Sequence, residues 1–272
     1  MNNVRSFNTG FYFSSAVLVV WLLMVLSVPF MELHPNTVSL EKILNLPDAD
    51  SFLGYDDLGR PLFDRLLAGA YTSFTVAFGV VLVSLLIGTG IGVLSGYAGG
   101  QWDHLIVRII DIFMAFPGIL LAIALSGLMG PGIGNVIIAL SVVGWVGFAR
   151  LSRAQVMSIK QSEHVLAARA LGASHGRIIG YHILPLIIAP LLIELTFGIA
   201  SIVIAEAGLS FLGLGIQAPE ASWGSMIRDG AQYLLMAPHM VLVPGVALML
   251  VVMAVNMVGD GVRDWLDIKG KK

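Results

Sequence analysis

Two glutamates, six histidines and one polar stretch are the places where this chain could do chemistry. Glu194 stands inside an otherwise uncharged run and Glu206 near the end of the same run. An ionisable side chain at membrane depth must face protein or water, which makes it a functional candidate by default. Both glutamates are therefore candidates for a translocation path, with Glu206 expected close to the outer interface. The competing role for Glu194 is structural, a hydrogen bond across helices. Arg108 and Asp111 are spaced to pair on one helix face. The histidines, at 34, 104, 164, 175, 182 and 239, show no metal-ligand spacing within one predicted span. His175 and His182 lie two turns apart and could share a face, where a surface role is favoured over a metal.

Several chemistries have no residues to carry them. There is no cysteine, which excludes disulfides, thiolate nucleophiles and Cys-ligated metals. No Gly-x-x-x-x-Gly-Lys-Ser/Thr run is present, so the chain has no P-loop for ATP. His-Glu-x-x-His and Gly-x-Ser-x-Gly are absent as well. An intramembrane enzyme has no visible nucleophile–base or metal pair. The expectation is a chain that is not an enzyme and that holds no cofactor or metal itself. Net charge is −2, which implies no nucleic-acid partner.

The polar stretch, residues 163–185, reads EHVLAARALGASHGRIIGYHILP. Apolar segments flank it on both sides. Ser162 is placed to cap a short helix, with Glu163 near the positive helix end. Alanines and leucines favour helix over 165–171. Gly172 can break that helix through a positive φ. Ser174 can cap a second helix, which Pro185 should stop or kink. The product is a helix–turn–helix elbow. Ala167 and Ala168 leave a shallow face on it, where a partner's side chains can sit.

These groups must be positioned by membrane helices. The chain has 272 residues, 57% hydrophobic and 12% charged, and a mean hydropathy of +0.89; soluble domains carry about 25% charged residues. It is an all-α polytopic membrane protein. Residues 6–31 carry no charge and suffice for one span, read as an uncleaved first helix over a signal peptide because no small-x-small site precedes Glu32. A polar loop follows over 32–71. The second span is expected over 72–97, where Ser84, Gly88, Gly92 and Gly96 put small residues on one face for close packing. After a tight turn at 99–103, a third helix is expected to reach about 129. A Pro-Gly turn leads to a fourth helix over 135–150, a fifth span covers 186–207 and a sixth 239–258. Residues 208–227 carry glycines and Pro219, which suit a re-entrant segment covered by protein or water.

Arg150, Arg153, Lys160, Arg169 and Arg177 cluster around the elbow, and Arg263, Lys269, Lys271 and Lys272 end the chain. Both regions are expected in the cytoplasm by the positive-inside rule. Six spans then place the N-terminus there too, with 32–71 and 209–238 on the other side.

The elbow resembles the EAA loop of the transmembrane subunits of ABC importers, whose pattern is Glu-Ala-Ala, three residues, Gly, nine residues, Ile-x-Leu-Pro. Leu166, Ala167, Ala168, Gly172, Leu184 and Pro185 fall on it. Leu166 replaces the glutamate and His182 the isoleucine; Glu163 stands one turn earlier. Three further stretches resemble the dipeptide, oligopeptide and nickel permease branch: FLGYDDLGRPLFDRLLAGAYTS, RIIDIFMAFPGILLAIAL and GLSFLGLGIQAPEASWGSMI. In the first, either Asp56 or Asp57 matches the branch aspartate, Pro61 and Tyr71 depart, and an amphipathic interfacial helix is a second reading.

The resemblance implies a six-helix, type I ABC importer permease, with an N-terminal helix and loop over 1–71 and a permease domain over 72–272. Its coupling loop lies at about 160–185, carried by Glu163, Ala167, Ala168, Arg169, Gly172, Ala173, Leu184 and Pro185. The implied partners are a second homologous permease, two cytoplasmic ATPase subunits that hold ATP and Mg, an extracytoplasmic solute-binding protein and the lipid of a bacterial inner membrane. Di- or oligopeptides are the expected cargo and nickel the alternative. A self-contained secondary transporter or channel is the rival class; it would need buried ion-coupling residues, for which Glu194, Arg108 and Asp111 are the candidates.

Overall fold

The computed structural model describes residues 9–49 and 51–270; Arg5, Asp50, Lys271 and Lys272 lie outside them. The fold is nearly all helical. Helix α1 spans Thr9–Ser27, α2 Leu62–Ala98, α3 Gly100–Ala115, α4 Gly118–Met129 and α5 Ile133–Ile159. The elbow holds α6, Glu163–Ala170, and a single turn α7, His175–Arg177. Helix α8 spans Leu184–Phe211, α9 Trp223–Ala231 and α10 His239–Gly270. Among the described residues, five helices are long and apolar enough to cross a membrane. A sixth crossing exists if α3 and α4 count as one span bent by 83°.

That bend corrects the expectation of a continuous third helix. Pro117 has no N–H to donate, and it drives the residue before it out of the helical region. Phe116 accordingly lies at φ −102°, ψ 138°. The second span also differs. Helix α2 begins at Leu62, ten residues before the expected start, so the end of the predicted loop is helix and not a separate interfacial one. At 1.5 Å per residue its 37 residues extend about 55 Å, well beyond a hydrocarbon core of about 30 Å.

The small-residue stripe of α2 packs as its spacing predicts. Ser84, Gly88, Gly92 and Gly96 are buried against α5. A Cβ on Gly88 would stand 2.3 Å from the Trp145 carbonyl oxygen, and one on Gly92 2.3 Å from that of Ala149. The main core lies beside this seam, where Trp21 of α1 packs on Phe74 of α2 and Trp223 of α9.

The last turn of the loop before α2 is built around one carboxylate. Asp56 accepts hydrogen bonds from the Leu58 and Arg60 N–H groups, both at 2.9 Å, and its other oxygen pairs with Arg60 Nε at 2.6 Å and Arg65 Nε at 3.3 Å. Asp56 is thus the aspartate that organises the Leu-Gly-Arg turn. Arg65 is buried and also donates to the Pro35 carbonyl. Burial, and then the neighbouring Asp56, push the Asp57 carboxyl above its ordinary range. Gly59 turns this loop at φ +70°, and a Cβ there would overlap the Ser39 carbonyl.

Candidate coupling elbow and membrane cleft

The elbow forms as two short helical pieces around Gly172, which has φ +84°. The turn closes with the Gly172 N–H donating to the Arg169 carbonyl and the Ala173 N–H to that of Ala168, both at 3.0 Å. This pair of bonds is the Schellman arrangement, which a left-handed glycine permits. Ser174 accepts from the Arg177 N–H and caps the second piece. Ser162 occupies the first cap position without capping, because its hydroxyl donates to the Ile159 carbonyl instead.

Pro185 does not stop the helix. The residues before it, Ile178–Ile183, adopt π geometry, with the Leu184 N–H reaching back to Ile179. Pro185 then falls in the first turn of α8, where a missing N–H costs nothing. The π register also changes the phase between the two elbow histidines. His175 shares a 2.8 Å hydrogen bond with the Tyr97 hydroxyl of α2, whereas the His182 ring lies 6.3 Å from that of His164. They do not share a face.

Glu163, Ala167, Arg169, Gly172 and Pro185 are exposed, and Ala168, Ala173 and Leu184 are half-buried. Leu171 is 89% exposed, with Leu166 and Tyr181 also open. Beneath this surface Val165, Ile178, Ile183 and Ile187 form a buried core of their own with Val156 of α5. The elbow is therefore seated on the ends of α5 and α8 while its outer face stays uncovered.

Side-chain bonds tie the same end of the bundle together. Arg153 of α5 grips Asp103 of α3 through both carboxylate oxygens, at 2.5 and 2.7 Å, and Ser95 of α2 donates to Asp103 at 2.6 Å. Lys160 donates to the Gly96 carbonyl at 2.6 Å. Sequence spacing had suggested Arg108 with Asp111; no ion pair joins those two among the described residues. The pair that forms lies 50 residues apart, beyond the reach of local periodicity.

Above this latch a cleft of about 520 Å³ opens between α3, α5 and α8. Asp111, Arg150, Arg153 and Glu194 line it with Val107, Ile110, Gly147, Leu151 and Ala154. A Cβ on Gly147 would stand 2.9 Å from Glu194 Oε1, so glycine there makes room for the carboxylate. Glu194 thus faces a polar cleft. Glu206 is apart from it and fully buried, accepting hydrogen bonds from Ser73 of α2 at 3.1 Å and Ser210 at 2.8 Å. Among the described residues no group of three or more His, Asp or Glu side chains is arranged to hold a metal ion.

Comparison with known proteins places this geometry. Residues 88–270 match the family model described as the binding-protein-dependent transport system inner membrane component. The dipeptide transport system permease protein DppC of Alkalihalophilus pseudofirmus is 46% identical over 83% of this chain and 74% of its own length. The glutathione transport system permease protein GsiD of Escherichia coli O6:K15:H31 is 40% identical over 98% and 89%. The nickel transport system permease protein NikC of Escherichia coli K12 is 39% identical over 93% and 92%. A chain of the inward-facing MetNI methionine ABC transporter shares the fold, with a TM-score of 0.62 at 20% identity, covering 75% of this chain and 97% of that one. These relatives are permease subunits of transport systems, and this chain, an integral inner-membrane protein, belongs to the permease family of binding-protein-dependent ABC importers.

Proposed function

We propose that this chain forms half of the translocation path of an ATP-driven importer for di- or oligopeptides. A second homologous permease supplies the other half, and two cytoplasmic ATPases work through the elbow at 160–185. Its outer face carries uncovered Leu166, Leu171 and Tyr181 on a rigid seat, which is the single observation that supports the docking role. Exposed leucines beside charged Glu163 and Arg169 suit a protein partner better than lipid. ATP and Mg belong to the ATPases, and an extracytoplasmic binding protein delivers the cargo. The two permease conformations must bind the ATP-loaded dimer with different affinity, since only that difference can drive alternating access. The DppC relative supports peptide cargo; glutathione and nickel, carried by the names of the others, are outcomes of the same uptake assay. The test is uptake of labelled dipeptide, glutathione and nickel into cells that lack their own importers but express the complete system.

In this reading residues 151–185 and both termini face the cytoplasm, and 32–71 and 209–238 face outward. The chain has no cysteine, so single introduced cysteines report topology directly. An Ala170→Cys variant should resist an impermeant maleimide in intact cells and react in inverted vesicles. Reaction in intact cells would reverse the orientation.

Glu194 is assigned to the path because it lines the polar cleft with Asp111 and Arg150. Glu194→Gln should change the uptake rate or the cargo preference by several-fold while the ATPases still co-purify. Unchanged uptake for each cargo would leave Glu194 a structural group.

A further inference from the structure

Glu206 sits at the end of α8 far from the elbow. At 1.5 Å per residue it lies about 33 Å along the helix from Leu184. Its relative exposure is 0%. A carboxyl group taken out of water is costly unless hydrogen bonds replace the lost hydration, and here hydroxyls from α2 and α8 supply them. Ser73 donates to one oxygen and Ser210 to the other.

The chain of bonds continues into the segment after α8. Ser210 Oγ accepts from the Ile216 N–H at 2.9 Å, and the Gly215 carbonyl accepts from the Gly132 N–H at 3.2 Å, in the turn between α4 and α5. The fit has no slack. A Cβ on Gly215 would stand 2.4 Å from Ser210 Oγ, and one on Gly224 2.4 Å from the Ala207 carbonyl oxygen. Arg228 of α9 donates to the Ser210 carbonyl. One carboxyl group thus stands where α2, α8 and the segment 212–222 meet, and that segment reaches the α4–α5 turn.

We propose that Glu206 is a positioning residue of the transport cycle. It fastens segment 212–222 and α2 to the far end of α8, so that movement of α8 driven at the elbow arrives at the α4–α5 turn as one rigid displacement. Its place is in transmission rather than in cargo contact. The proposal rests on the elbow being the ATPase-coupling element.

The test uses the complete transporter, in lipid nanodiscs for labelling and in proteoliposomes for uptake, with two reporters read on this chain's band. Ala170→Cys, on an exposed elbow residue outside the proposed docking surface, reports the elbow and Gln217→Cys, on an exposed residue of the segment, reports the far end. In the parent, ATP with vanadate should change maleimide labelling several-fold at both. Glu206→Leu should keep the change at 170, abolish it at 217 and abolish uptake, while Glu206→Gln, which retains an acceptor of the same shape, should restore both. If the leucine variant yields no complex, the Ser73→Ala, Ser210→Ala pair replaces it with the same expectation. A purely structural group would lower yield without separating the two reporters. A nucleotide-dependent change at 217 and intact uptake in the leucine or double-alanine variant overturn the proposal. Failure of the coupling reading itself looks different: the parent would then show no nucleotide effect at 170.

Discussion

Gly172→Val should abolish uptake and break the link between binding protein and ATP hydrolysis while leaving the membrane helices assembled. Gly172 holds φ +84° with open space around the position of a Cβ, so the cost is conformational and not steric. A β-branched residue in that region is strained by about 1–3 kcal/mol. The chain can relieve the strain only by giving up the two bonds from Gly172 and Ala173 that close the turn. The surface formed by Ala167, Ala168 and Leu171 would then lose its shape. Ala168→Trp attacks the same surface by bulk alone, with the backbone intact. Both variants should insert normally, since neither position lies in a span, and the second permease should still pair with them. The measurement is co-purification of the ATPases together with substrate-stimulated hydrolysis. Gly172→Ala, which also pays for positive φ but is not β-branched, should fall between valine and the parent. Normal recruitment and stimulation in the valine and tryptophan variants would remove the coupling role from this elbow.

The elbow and the spans were legible because their signals are local. Gly172 ends a helix whose alanines precede it, and Ser174 caps the next. Runs without charge located the spans, and a four-residue spacing of small side chains located the seam between α2 and α5. What failed was geometry decided by neighbours. Pro185 reads as a helix stop or kink; the helix does not stop there, because the π turn before it delivers it to a first turn where proline is welcome. Ser162 stands at a cap position, but the Ile159 carbonyl was within reach of its hydroxyl. Arg108 and Asp111 had ideal spacing, while the α3 carboxylate that took an arginine was Asp103, held by residues from α2 and α5. The cleft around Glu194 and the burial of Glu206 also depend on which helices meet, and no short pattern encodes that. Asp56 and Asp57 were equal candidates until the loop folded around the first of them.

The seam between α2 and α5 carries the other large expectation. Gly88→Val and Gly92→Val should each prevent recovery of folded complex from the membrane. At both positions a Cβ would meet a backbone carbonyl oxygen at 2.3 Å, with the Cβ of Phe148 or Ser152 at 2.7 or 2.8 Å behind it. A flexible side chain could swing away from such a contact, but a carbonyl inside α5 is fixed by its own helix. The helices must therefore separate along the seam. Overpacking of a well-filled interior costs about 1–3 kcal/mol for added methylenes, occasionally more, and in a bilayer close packing of small residues is itself what drives two helices together. Prising this face apart would also pull Gly96 away from Lys160, and the Ser95–Asp103 pair away from Arg153, about one turn beyond Gly92. Gly90 is the internal control. It lies on the same helix between the two, and a Cβ there meets nothing within 4 Å. Gly90→Val should express, assemble and transport close to the parent level, so that helix propensity cannot explain the other two. The measurement is the monodisperse fraction after detergent extraction, followed by uptake. Recovery of Gly88→Val or Gly92→Val at the Gly90→Val level would show that α2 and α5 do not pack through these glycines.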